Sequence, residues 1–169
     1  MTAELPALWH VRFDDRTVGE IVEPGQWGRI VTMSGAYGTD QPTGSPFHFR
    51  EHLLELFRVT QTDVAVSRLA CAFAFESRDV ALETARLRNA SGVPHACYAV
   101  EPVDATRPMS RHDMLWITWM GEPKADYNRV AEWLGQYWNG AATESVADHA
   151  RSTWEWLVAS GLRIVGRAD

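Results

Sequence analysis

Cysteine is nearly absent from this chain: Cys71 and Cys97 are the two among 169 residues. That argues against a disulfide framework, and both fall in apolar, strand-like runs (LACAFAF and HACYAV) expected to bury free thiols. No run approaches the ~20 apolar residues that span a bilayer. The N-terminal MTAELPALWHV lacks the basic segment and apolar stretch of a signal peptide, so a cytoplasmic location without a membrane partner is expected. Positive charge is not in excess either. Acids outnumber bases 22 to 16, for a formal net charge of -6, which disfavours gripping a nucleic acid backbone by charge alone but leaves a small recognition pocket open. The glycines at 25, 28, 35, 38 and 44 fit neither a P-loop nor G-x-G-x-x-G. There is no G-x-S-x-G elbow, no internal repeat, no low-complexity tract and no strict βαβα alternation.

What is present is an ordinary soluble composition, 46% hydrophobic and 22% charged, in a length suited to one domain over residues 1–169. Tryptophan is the exception, with eight residues. Such an excess fits an aromatic core, a stacking platform or an interface, and position must decide among them.

Residues 8–13 and 19–22 read as short strands around the turn DDRT. Residues 23–44, with two prolines and five glycines, read as a long functional loop. Ser45-Pro46 opens a helix to about Val59, with Phe49, Leu53, Leu56 and Phe57 on one face. Residues 67–76 alternate as a strand. Ser77 caps a helix over residues 78–89. Residues 96–103 form a strand, and the apolar run MLWITWM at 114–120 reads as a buried one. Residues 125–138 form a helix with Val130, Trp133, Leu134 and Trp138 inward, ended by Asn139-Gly140. WEWLV and LRIVG close the chain as a hairpin. The mixture is α+β.

His48-Phe-Arg-Glu51-His52 fits H-x-x-E-H, in which two histidines bind zinc and the glutamate activates water. The bland alternative is an amphipathic helix whose polar face carries His48, Arg50, Glu51, His52, Glu55 and Arg58. A five-residue pattern without a third ligand favours the bland alternative, and leaves a zinc hydrolase as a lesser reading. The other chemistry-bearing residues are scattered. His10 lies in the first strand, Ser67-Arg68 opens a middle strand and Phe73 lies within it. Glu155 stands between Trp154 and Trp156. Strand alternation sends the two tryptophans to one face and Glu155 to the other.

In this order the segments LWHV, SRLACAFAFESRDVA and WEWLVASGLRIVG resemble the ADP-ribosyltransferase fold, a split β-sheet with flanking helices. YWNG, REHLLELFR and HDMLW resemble features of small bacterial members, and the likeness spans about residues 8–166. The resemblance implies an enzyme, a transferase that binds NAD in a cleft, breaks the nicotinamide–ribose bond through an oxocarbenium-like transition state and passes ADP-ribose to an acceptor. It makes Glu155 the catalytic carboxylate. His10 matches the first-strand residue that holds the adenosine ribose, with Val11 offering its backbone and Arg12 as the alternative first-strand residue. Ser67, beside Arg68, matches the serine opening the middle strand, and Phe73 offers a ring to nicotinamide. Trp27 is left as a ligand-contacting lid.

Three positions depart from the pattern. Val11 replaces a glycine, Phe73 replaces a tyrosine, and Thr153 stands where many relatives carry the glutamate or glutamine that engages the acceptor. Modification of arginine is therefore less expected, and the acceptor (protein, nucleic acid or small molecule) stays open. A toxin or defence role would bring an antitoxin or immunity protein as partner. The alternative is a non-catalytic binding module of the same fold.

Overall fold

The computed structural model describes residues 5–36, 46–90, 92, 94–120, 126–145 and 151–168. Its strands are β1 (Leu8–Arg12), β2 (Ile21–Val22), β3 (Ala72–Phe75), β4 (Ala96–Pro102), β5 (Met109–Asp113), β6 (Trp154–Val158) and β7 (Leu162–Arg167). The helices are α1 (Gln26–Ala36), α2 (Pro46–Gln61), α3 (Arg78–Asn89), α4 (Leu115–Trp119) and α5 (Tyr127–Trp138). The strands pair antiparallel in the order β2-β7-β4-β1-β3-β6-β5. The fold is thus α+β, as its sequence suggests.

One joint in this sheet is thin. β1 runs against β4 along its whole length, and β6 runs against β3 and β5, whereas β1 meets β3 through the single pair Trp9↔Phe75. Beyond that pair the two strands are no longer laddered, and backbone groups there are left to side chains.

Alternation along β1 sorts the core. Leu8 packs with Ala72, Ala74, Tyr98, Val100, Val158, Leu162 and Ile164 on one face. Val11 and Cys97 face the other way, against Ala81 and Ala85 of α3. Farther along the sheet, Leu157 packs with Leu54, Trp116, Ile117, Leu134, Tyr137 and Trp138 from α2, α4 and α5. Trp116 and Trp138 are buried, and Trp133 packs beside them. Cys71 and Cys97 are both buried and free.

Local chemistry sets several boundaries as expected. The Ser77 hydroxyl accepts from the Val80 amide at the start of α3, and Asp126 accepts from the Arg129 amide at the start of α5. Gly140, at φ 67°, follows the end of α5. Gly161, at φ 81°, turns β6 into β7.

Four expectations are corrected. Part of the expected loop at 23–44 is helix α1; residues 37–45 lie outside the described residues. Gly28 lowers intrinsic helix propensity but lets α1 press on the backbone of Leu69, where a Cβ would fall 2.0 Å from the carbonyl oxygen. Residues 115–119 are a helix rather than a strand, since a short apolar run carries no decisive period. Asp113 Oδ1 accepts from the Leu115 amide, and Trp116 and Trp119 meet edge to face one helical turn apart. The polar stretch before it contains β5, unforeseen in the sequence. Residues 67–71 are a turn, and the middle strand begins only at Ala72.

Helix α2 is turned in part from its expected orientation: Phe57 packs on the core as expected and Leu53 is half-buried. Phe49 and Leu56 are 67% and 58% exposed, while Glu51 and Leu54 are wholly buried. A buried glutamate on the inner face needs a partner, and that partner organises the site described below. Among the described residues no helix is long and apolar enough to cross a membrane.

Candidate functional site

Where β1 and β3 separate, a cavity of about 380 Å³ opens, a size in the usual range for small-molecule sites. His10, Val11 and Arg12 line it from β1, Trp27 from α1, Phe73 and Phe75 from β3, and Glu155 from β6, with Arg68 and Arg50 beside it. His10, Arg12, Trp27, Arg68, Phe73 and Glu155 were each expected at a site from sequence, and the fold brings them to one cavity.

His10 crosses the gap. Its Nδ1–H donates to the Phe73 carbonyl at 2.6 Å, taking up a backbone acceptor at the point where the ladder stops. That assigns Nδ1 as the protonated nitrogen and leaves Nε2 as an acceptor. Desolvation, reinforced by the charge of Arg12 and opposed by the hydrogen bond, lowers the ring's pKa to about 4. Near neutral pH, His10 is therefore an uncharged hydrogen-bonding group.

Arg12 is almost fully buried. It binds both carboxylate oxygens of Asp14, and its Nη1 donates to Gln26 Oε1 at 2.8 Å. That contact ties β1 to the first turn of α1, which carries Trp27. Val11 lines the cavity while packing towards α3.

The strongest polar feature lies at the back of the cavity. Arg68 is buried, and its Nε donates to Glu51 Oε2 at 3.0 Å. Its Nη1 donates to Tyr137 Oη at 2.6 Å and also to Glu155 Oε1. The Tyr137 hydroxyl donates to that same Glu155 oxygen at 2.7 Å. Glu51 Oε1 also receives Arg50 at 3.1 Å. The guanidinium lies 4.8 Å from the centre of the Phe73 ring, within cation–π range. Glu155 is 2% exposed, and both of its described hydrogen bonds fall on Oε1.

The two carboxylates are held differently. Burial opposes charge on Glu51, but Arg68 and Arg50 outweigh it, and its pKa lies below the usual carboxylate value. Burial also opposes charge on Glu155. There Arg68 and Tyr137 do not fully compensate, and the nearby charge of Glu51 adds to the cost, so its pKa lies above the usual value. Arg68 stays charged under all ordinary conditions.

No family model matches this chain, and no curated protein matches it. Its site has to be read from its own chemistry.

Ser67 is corrected. It does not line the cavity; its hydroxyl donates to Glu55 Oε2 at 2.9 Å and accepts from the Leu69 amide. It shapes the turn that delivers Arg68. The His48/Glu51/His52 pattern is not assembled as a metal centre, because Glu51 is committed to Arg68 and Arg50 while His52 is exposed. Among the described residues no three His, Cys, Asp or Glu side chains converge to hold a metal ion. Glu51 does not belong to the exposed polar face either.

Sequence reasoning missed Tyr137, and it placed Glu51 in the wrong chemistry. Tyr137 stands three residues after Leu134, at the inward spacing already read for α5, so its hydroxyl could have been sought among the buried polar groups. The indole N–H of Trp27 is buried and meets no acceptor in hydrogen-bond geometry, although the ring is close enough to favour the charged form of Glu51.

Proposed function

We propose that this chain is an NAD-dependent ADP-ribosyltransferase with the split-sheet architecture of that family, acting in the cytoplasm on an acceptor still to be identified. The observation that carries the reading is the presence of Glu155 and His10 in one aromatic-lined cavity at the joint between β1 and β3. The chemistry supports it further. Hydrolysis of an ordinary glycoside calls for two working carboxyl groups, one donating a proton to the leaving oxygen. Here the second nearby carboxylate, Glu51, is bonded to two arginines. Glu23 also lines the cavity but is exposed, so Glu155 is the enclosed carboxylate there, and one enclosed carboxylate suits a leaving group that needs no proton. Nicotinamide is one, since it is cationic in NAD and departs neutral.

In this reading Glu155 faces the sugar and stabilises the developing oxocarbenium charge. Neutral His10 accepts from a ribose hydroxyl through Nε2. Phe73 and Trp27 offer ring faces to the planar ends of the dinucleotide. Arg12, paired with Asp14 and bonded to Gln26, holds the β1 wall of the cavity against α1.

The test is calorimetric titration with NAD, together with measurement of nicotinamide release, for wild type and Glu155→Gln. Binding by both proteins and release by wild type alone is the expected result. No binding by wild type at millimolar NAD removes the proposal. One observation favours a second reading, a ligand-binding module without turnover: Glu155 is almost fully enclosed, and burial favours its neutral form. Binding of NAD without any release of nicotinamide would decide for that module.

A further inference from the structure

The buried polar groups behind the cavity are unequally matched. Arg68 reaches two carboxylates on different elements, Glu51 on α2 and Glu155 on β6. Glu51 has Arg50 as a second cation, whereas Glu155 has the Tyr137 hydroxyl as its second donor. Both described donors to Glu155 converge on Oε1, which restricts rotation of the carboxyl about its last bond. Tyr137 is itself fixed. Its ring stacks on His112 at 4.6 Å, and its backbone carbonyl receives His112 Nδ1–H at 2.8 Å.

We propose that Tyr137 and Glu51 are positioning residues for Glu155: Tyr137 fixes which carboxylate oxygen meets the ligand, and Glu51 competes with Glu155 for the charge of Arg68. This deepens the reading of Glu155 as the catalytic carboxylate and rests on it only for the reaction named. The titratable and charged groups around Glu155 are Arg68 from the turn before β3, Glu51 from α2 with Arg50 paired to it, Tyr137 from α5, His112 opposite on β5, Cys71 beside Arg68, and His10 and the Asp14-paired Arg12 of β1 in the same cavity. His112 is held uncharged near neutral pH by burial. Cys71 is held as a thiol, its pKa pushed up to about 12 by burial. The ionic balance therefore lies among one shared arginine, Arg50 and two carboxylates. Removing the charge of Glu51 leaves Arg68 to Glu155 alone and favours ionised Glu155. Removing the Tyr137 hydroxyl withdraws a donor from the carboxylate and favours its neutral form.

The experiment follows the carboxyl carbon of Glu155 by NMR in protein labelled at the glutamate side-chain carboxyl, with the signal assigned by its loss in Glu155→Gln. Wild type, Glu51→Gln and Tyr137→Phe are titrated without NAD, and each variant's fold is checked by amide spectra. Glu51→Gln should lower the midpoint of Glu155 by about one pH unit or more, and Tyr137→Phe should raise it. An unmoved midpoint in both variants, or shifts in the reverse directions, overturns the proposal. If Glu51→Gln fails to fold, Tyr137→Phe decides alone, since it removes one oxygen atom from an otherwise unchanged ring. Because no NAD is present, the outcome is separable from the function reading. A midpoint that moves as expected in a protein that never releases nicotinamide refutes the enzyme and leaves the positioning intact. Release of nicotinamide with an unmoved midpoint does the opposite.

Discussion

Substitution of Arg68 by glutamine tests the architecture most severely. The residue is 5% exposed and stands between Glu51 at 0% and Glu155 at 2%. Removing the one cation shared by two buried carboxylates strands charge on both sides, although Glu51 keeps Arg50. Breaking one buried ion pair by deleting a partner costs about 3–5 kcal/mol. A domain of this size has only about 5–15 kcal/mol in total, so Arg68→Gln should lose a substantial part of wild-type stability near neutral pH. The sign of its pH dependence follows. Without Arg68, the native pKa values of Glu51 and Glu155 rise above their unfolded values. Stability from such a carboxyl is present below the unfolded pKa and is lost as pH rises through the native one. The deficit against wild type should therefore shrink between neutral pH and about pH 5. Urea unfolding of both proteins at the two pH values measures it, provided the denaturant slopes agree. The double variant Glu51→Gln/Arg68→Gln should be less destabilised than the sum of its single variants, since it removes one stranded charge. A deficit under ~1 kcal/mol at neutral pH, or one that widens on acidification, refutes the buried hub.

Two further outcomes are expected. Gly28→Ala would place a methyl 2.0 Å from the Leu69 carbonyl oxygen, and backbone on both sides leaves little room to yield; a loss of about 1–3 kcal/mol and a changed Trp27 environment should appear in fluorescence-monitored unfolding, and an unchanged midpoint would contradict the close approach. His10 and His112 are both lowered to about 4 by burial, so the unfolded chain binds more protons than the native one below about pH 6.5, and each should subtract about 2 kcal/mol of stability between pH 6.5 and pH 5. Imidazole NMR signals should show two rings untitrated above pH 5, and two ordinary midpoints near 6.5 would exclude this.

The elements legible in the sequence are those in which local chemistry and burial agree. Ser77 before an amphipathic segment, Asn139-Gly140 after one, and WEWLV-turn-LRIVG each carry their own start, period and stop. The elements misread are those fixed by a distant neighbour. Helix α1 contains Gly28, unfavourable by propensity, because the backbone of Leu69 lies against it. Helix α4 is an apolar run with no decisive period; the carboxylate of Asp113 binds its first amide, and that same residue holds Thr143 and Thr153.

The site shows the same division, with one added reason. His10, Arg12 and Phe73 were singled out by the likeness of their segments to a known fold, and Glu155 also because strand alternation separates it from Trp154 and Trp156. Glu51 could not be placed, because helical periodicity assigns a glutamate to solvent, and the exposed Phe49 and Leu56 reinforce the wrong face. Only the position of Arg68 reverses that assignment, and Arg68 arrives from a turn whose course depends on Ser67, Glu55 and Gly28 together. A hydrophobic pattern is additive along a chain and can be summed locally. A buried ion pair is a condition on two residues at once, and here the condition joins α2, the turn before β3, α5 and β6. The residues that present Glu155 were therefore hidden from any single segment, even where the segment bearing Glu155 was read correctly.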